Sequence, residues 1–120
     1  MPKKILVIDD EPSARQMLCD YLEIQGYIAL QAEDGLKGIS LASSENPDLI
    51  LLDVSMPKMN GLEVLRVLRA KVPLASVLML SGVYDEDIAK KSVQLGAFDY
   101  WTKPVDLVQL QDMIHRILGE

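Results

Sequence analysis

The chain contains a single cysteine, Cys19, so an internal disulfide is excluded, and its 120 residues hold no run of about 18 apolar positions that would read as a membrane span. Basic residues are outnumbered 12 to 18 by acidic ones and cluster no further than pairs such as Lys3-Lys4 and Lys90-Lys91. Nucleic-acid binding by this segment is therefore disfavoured, because such surfaces set clustered cations against phosphates. With no signal-type N-terminus, the cytosol is the expected compartment. Low-complexity tracts, linkers and long repeats are also missing. What is present is ordinary for a packed protein: 49% hydrophobic and 25% charged residues, in a length that suits one domain over 1–120.

Five short apolar runs stand out. Ile5 to Ile8 ends at Asp9-Asp10, Tyr27 to Leu30 precedes Gln31-Ala32-Glu33, and Leu49 to Leu52 ends at Asp53. Ser76 to Leu80 ends at Ser81-Gly82, and Ala97 to Trp101 leads into Thr102-Lys103-Pro104. Their length and bounding residues predict buried strands. Between them the spacing predicts helices: Ala14, Met17, Leu18, Tyr21 and Leu22 form one stripe between Pro12 and Gly26, and similar patterns cover 35–44, 61–71, 86–95 and 106–118. Asn60 and Asp85 are expected N-caps, and Gly119 an expected terminator. A strand-helix unit repeated five times predicts an α/β fold, a parallel sheet covered on both faces.

In such sheets the ligand crevice lies beyond the carboxyl ends of the strands, where Asp9, Asp10, Asp53, Ser81 and Lys103 are expected to gather. Three neighbouring carboxylates repel one another by several kcal/mol each at intermediate dielectric, about 4 Å apart, so a positive partner is required. An all-oxygen site with few protein ligands suits Mg²⁺, which shares its remaining positions with water and phosphate oxygens. Lys103 adds a point charge, Ser81 a hydroxyl donor, and Gly82 leaves the approach uncrowded. That set describes a pocket for a phosphoryl group, with Asp53 as nucleophile, since an aspartate is ionised at neutral pH without a general base.

Four motifs, "VIDDE" at 7–11, "LLDVSMPKMNG" at 51–61, "LSG" at 80–82 and "GAFDYWTKP" at 96–104, resemble the receiver domain of two-component response regulators across essentially the whole chain. The resemblance implies a three-layer (βα)5 flavodoxin-like fold, CheY-like, with a five-stranded parallel sheet in the order 2-1-3-4-5. It implies Asp53 as phosphoacceptor, and Asp9, Asp10, Asp53 and the backbone carbonyl of Ser55 as Mg²⁺ ligands. Lys103 is then the lysine pairing with the phosphoryl group, Ser81 the switch hydroxyl, Tyr100 the aromatic switch residue and Pro104 a cis-proline candidate. The implied donor is the phosphohistidine of a sensor histidine kinase or phosphotransfer domain, or a small acyl phosphate. Its only catalysis would then be its own phosphorylation and dephosphorylation. The implied readout is the surface of the fourth helix, fifth strand and fifth helix, acting on a partner, a C-terminal output domain or a second copy. Ser55 and Val83, at positions that tune phosphoryl lifetime, are uncharged, which predicts a long-lived phosphoryl group.

Blander readings exist for each residue. Asp9 and Asp10 can serve as N-caps before Pro12, Lys103 as an exposed lysine, and Ser81 as an ordinary strand end. Taken together the set favours the site. Trp101 reads as packing, His115 as a solvated helix residue, and Cys19 as off the apolar stripe of its helix. The methionines read as core filler, with Met56 and Met59 shaping the loop after Asp53. A haloacid dehalogenase-like hydrolase would need an acid where Ser55 stands. An FMN-binding flavodoxin-type module would be repelled by Asp9-Asp10-Glu11. A receiver-like docking module that takes no phosphate is disfavoured by the complete set of acids, hydroxyl and lysine.

Overall fold

The computed structural model describes residues 2–54 and 60–119. Its strands are β1 (Lys4–Ile8), β2 (Ile28–Ala32), β3 (Leu49–Asp53), β4 (Ser76–Ser81) and β5 (Asp99–Thr102). They alternate with the helices α1 (Pro12–Ile24), α2 (Gly35–Glu45), α3 (Gly61–Lys71), α4 (Glu86–Gln94) and α5 (Leu107–Leu118). All pairings are parallel and the order is β2-β1-β3-β4-β5, as expected for the (βα)5 arrangement.

Strand periodicity divides the core into two layers. Ile5, Val7, Leu49, Leu51, Leu78 and Leu80 pack on one face with Leu18, Cys19 and Leu22 of α1 and Leu110 and Ile114 of α5. Their neighbours Leu6, Ile8, Ile50, Leu52, Val77 and Met79 face the other way, onto Ala42 of α2 and Val64, Leu65 and Leu68 of α3. β3 lies at the centre and is buried along its whole length, including the carboxylate-bearing Asp53.

Local signals set the helix ends. Asn60, Asp85 and Asp106 each accept hydrogen bonds from backbone N–H groups of the following turn, and Gly119 at φ 72° closes α5. At α1 the cap is Glu11, whose carboxylate accepts from the N–H groups of Ser13 and Ala14. Capping is thus not what Asp9 and Asp10 do: Pro12 occupies the first helical turn, so the cap must be the residue before it.

Three sequence expectations need correction. In α1, Cys19 is fully buried and Met17 is 54% exposed, so the inward face is turned by about one residue from the predicted stripe. β2 starts at Ile28, because Tyr27 is tied by its N–H to Leu22 O at 3.1 Å as the chain leaves α1. β5 starts at Asp99 because Ala97 N–H bonds back to Ser92 O at 2.9 Å and Phe98 is 45% exposed.

Candidate functional site

The register of the parallel sheet delivers the site. Ile8 of β1 pairs with Leu52 of β3, so the following residues, Asp9 and Asp53, leave the sheet side by side. Asp53 pairs with Leu80 of β4, and Ser81 with Thr102 of β5, so Ser81 and Lys103 follow along the same edge. The backbone N–H of Lys103 donates to Ser81 O at 2.6 Å, tying those two ends together.

Asp9 and Asp53 are almost wholly buried, at 1% and 3% exposure, whereas Asp10 is exposed. Carboxylate oxygens of all three lie within 4.8 Å of one another. Lys103 bridges two of them: its Nζ donates to Asp9 Oδ2 at 2.9 Å and to Asp53 Oδ2 at 3.2 Å. Burial by itself would lower the pKa of this ammonium. The hydrogen bond to Asp9 and the charges of Asp53 and Asp9 outweigh it, and hold the pKa above the ordinary lysine value.

Every polar group of Asp9 is engaged. Its N–H donates to Ala32 O at 3.1 Å, its Oδ1 accepts from Glu11 N at 2.9 Å, and its carbonyl accepts from Arg15 Nη1 at 2.8 Å. On the far side of β4, Ser81 Oγ donates to Val83 O at 2.7 Å and Tyr100 Oη donates to the same oxygen at 3.2 Å. The Tyr100 ring, nearly buried, meets Tyr84 edge to face with centroids 6.0 Å apart. Gly82 is exposed, and a Cβ added there would meet nothing within 4 Å. The Lys103-Pro104 peptide bond is cis.

The structure thus brings Asp9, Asp53 and Lys103 into contact at one strand-end edge, with an Asp10 oxygen within 4.8 Å, Ser81 next along it and Tyr100 behind Ser81. Ser55, with Met56 and Met59, lies outside the described residues. Two neighbours went unread in the sequence: Arg15, which holds the Asp9 main chain, and Gly61, whose absent side chain lets α3 start against Val54.

An acidic trio, one lysine and a hydroxyl thus stand together at the carboxyl edge of this sheet, and comparison with known proteins shows the family of the chain. Residues 5–115 match the response regulator receiver domain family. The chain belongs to that family. The receiver is 41% identical over 118 residues to the alkaline phosphatase synthesis transcriptional regulatory protein PhoP of Bacillus subtilis, covering 98% of the chain and 49% of that protein. It is 31% identical to sporulation initiation phosphotransferase F of the same organism, covering 98% of the chain and 95% of the relative. Among solved structures, a CheY-like response regulator receiver domain protein from Methanospirillum hungatei superposes with a TM-score of 0.96 at 28% identity, over 99% of this chain and 95% of that one. The receiver therefore spans about half of one such relative and nearly all of another. Receiver domains are signalling modules of two-component systems, which gives the chain a phosphorylation-dependent signalling role. Among the described residues, no helix is long and apolar enough to cross a membrane.

Proposed function

We propose that the chain, as one receiver unit over 1–120, accepts a phosphoryl group on Asp53 from the phosphohistidine of a sensor histidine kinase or phosphotransfer domain. The observation that carries this reading is Lys103 Nζ held between the buried Asp9 and Asp53 carboxylates at 2.9 and 3.2 Å, with Asp10 beside them. Among the described residues, one cation against three acids leaves a net negative oxygen cluster suited to a hard divalent ion. Asp9, Asp10, Asp53 and the backbone carbonyl of Ser55 would hold Mg²⁺, which supplies positive charge to the phosphoryl oxygens.

The rest of the chemistry belongs to the chain. An oxygen of ionised Asp53 attacks phosphorus, the new bond being Asp53 O–P. The bond that breaks is N–P of the phosphoimidazole, or O–P of a small acyl phosphate, and the leaving group departs with its electron pair. Fixed at the end of the central strand, Asp53 presents its carboxylate from a rigid element, which favours in-line attack. Lys103, already at its carboxylate, neutralises charge on the transferred group. Hydrolysis of the resulting acyl phosphate resets the domain, and no other substrate is turned over.

The readout runs through Val83. Its carbonyl receives both Ser81 Oγ and Tyr100 Oη, so a Ser81 hydroxyl that turns to the phosphoryl group leaves this oxygen to Tyr100 alone. α4 is lightly anchored, with Ser92 its one buried residue, so within the surface of α4, β5 and α5 it is α4 that is freest to respond. That surface would engage a partner, a C-terminal output domain or a second copy, in the cytoplasm.

Incubation with acetyl phosphate and MgCl₂ is expected to add one phosphoryl group by intact mass. Asp53→Asn is expected to abolish the addition, and a label that persists in this variant refutes the assignment.

A further inference from the structure

Arg15 sits in the second turn of α1, six residues after Asp9, and reaches back to the strand end. Its Nη1 donates to Asp9 O at 2.8 Å and its Nε to Gln31 Oε1 at 3.0 Å, while Gln31 Nε2 donates to Gln16 Oε1 at 3.3 Å. Gln31 is the penultimate residue of β2, and the next one, Ala32, accepts the N–H of Asp9. Both main-chain groups of Asp9 are therefore fixed by one bracket made of the β2 end and the first two turns of α1.

The direction of the bracket is informative. Arg15 carries its charge to the carbonyl of Asp9 and leaves the carboxylate to Lys103 and Glu11 N–H. A guanidinium whose only task was neutralisation would go to one of the three nearby acids, since a bidentate carboxylate pair is the stronger interaction. Here it instead uses its fork to span two acceptors on different elements. An acid oriented from its main-chain side presents its oxygens in one fixed direction, which is what a supporting residue does for a ligand.

We propose that Arg15, with Gln31 as its second anchor, is a positioning residue that sets the direction of the Asp9 carboxylate and thereby the affinity of the acid pocket for a divalent cation. The inference rests on the reading of Asp9, Asp10 and Asp53 as cation ligands, and it concerns how tightly the cation is held rather than how fast the phosphoryl group is transferred once it is there.

The test titrates MgCl₂ into the unphosphorylated full chain by calorimetry, and separately measures acetyl phosphate labelling against MgCl₂ concentration, for the parent, Arg15→Ala, Arg15→Lys, Gln31→Ala and Asp53→Asn. Arg15→Ala is expected to weaken Mg²⁺ binding about tenfold, the lower end of what losing an outer-shell partner costs. Its labelling rate at saturating MgCl₂ is expected to match the parent. Arg15→Lys, which can reach Asp9 O without bridging to Gln31, should recover part of the affinity. Gln31→Ala, which spares the contact to Asp9, should give a smaller loss and serves as the second probe if Arg15→Ala is unstable. Unchanged Mg²⁺ affinity in Arg15→Ala or, where that variant is unstable, in Gln31→Ala overturns the proposal. So does a lower rate that saturating MgCl₂ fails to restore. Failure of the underlying reading appears elsewhere, as a parent that binds no Mg²⁺ or an Asp53→Asn variant that still labels.

Discussion

Replacing Lys103 by methionine keeps most of the aliphatic stem and removes the charge between two buried carboxylates. At 2.9 and 3.2 Å the two attractions amount to about 6 and 5 kcal/mol at an effective dielectric constant of about 20. Much of this is offset by the desolvation of an ammonium whose side chain is only 25% exposed. The variant is left with Asp9 and Asp53 oxygens within 4.8 Å and without the Lys103 charge between them, a repulsion of about 3.5 kcal/mol at the same dielectric. Breaking a buried pair typically costs 3–5 kcal/mol, and the partial exposure of Lys103 places this one at the lower end, about 3 kcal/mol. The assay is urea unfolding at neutral pH in EDTA, followed by circular dichroism and by fluorescence of Trp101, the single tryptophan. The midpoint should fall with the slope unchanged. In an Asp53→Asn background the repelling pair is gone, and the same exchange should cost about half as much. Saturating MgCl₂ should restore stability to the single variant. Because the folded pKa of Lys103 is raised, its contribution is complete below the unfolded value of roughly 10.4 and is lost only as pH rises through the higher folded value. The difference between parent and variant should therefore stay flat from neutral pH to about pH 9. A loss under about 1 kcal/mol, the worth of an exposed ion pair, or an equal loss in both backgrounds, refutes the electrostatic account.

Gly61→Ala would place a Cβ 2.7 Å from Val54 Cα, a backbone atom that cannot swing aside, so a loss of about 2 kcal/mol in urea unfolding is expected, with slower labelling of the adjacent Asp53. Cys19, whose thiol burial pushes up to about 11, contributes stability that is present below the ordinary cysteine pKa and lost as pH rises from there towards about 11. Its reaction with a thiol reagent at pH 8 should proceed only as fast as the fold opens, and rapid labelling would contradict its burial. With Val83 apolar and Ser55 uncharged at the lifetime-tuning positions, the phosphoryl group on Asp53 should persist for minutes or longer after removal of acetyl phosphate, and decay within seconds would contradict this.

Much of this fold was legible because periodicity and punctuation agree. Leu49 to Asp53 and Ser76 to Ser81 are apolar runs stopped by a polar residue, and a strand buried on both faces has no other way to look. The errors fall where apolar character alone is ambiguous. Met17 and Cys19 are both acceptable inward residues on α1, and choosing between them requires knowing how the helix is turned on the sheet, which a 13-residue pattern leaves open by about one position, or roughly 100°. Phe98 looks like strand and is half exposed, because the chain before β5 is still tied to α4 through Ala97 and Ser92.

The candidate site divides along the same line, and the division has a physical cause. Asp9, Asp53, Ser81 and Lys103 are legible because each ends or directly follows a strand, and parallel register then forces strand ends to one edge whatever the side chains are. Arg15 and Gly61 act on main-chain atoms, the carbonyl of Asp9 and the Cα of Val54, which every residue type possesses. No residue pattern marks a backbone acceptor as special, so these contacts become visible only once the strands are paired. The consequence reaches the chemistry. Lys103 leaves β5, two strands from Asp53 and three from Asp9, at about 4.8 Å per strand, and still touches both. A side chain that crosses the end of β4 needs a small residue there, and Ser81 followed by Gly82 provides it, so the hydroxyl proposed as the switch also keeps open the path along which the lysine reaches the acids.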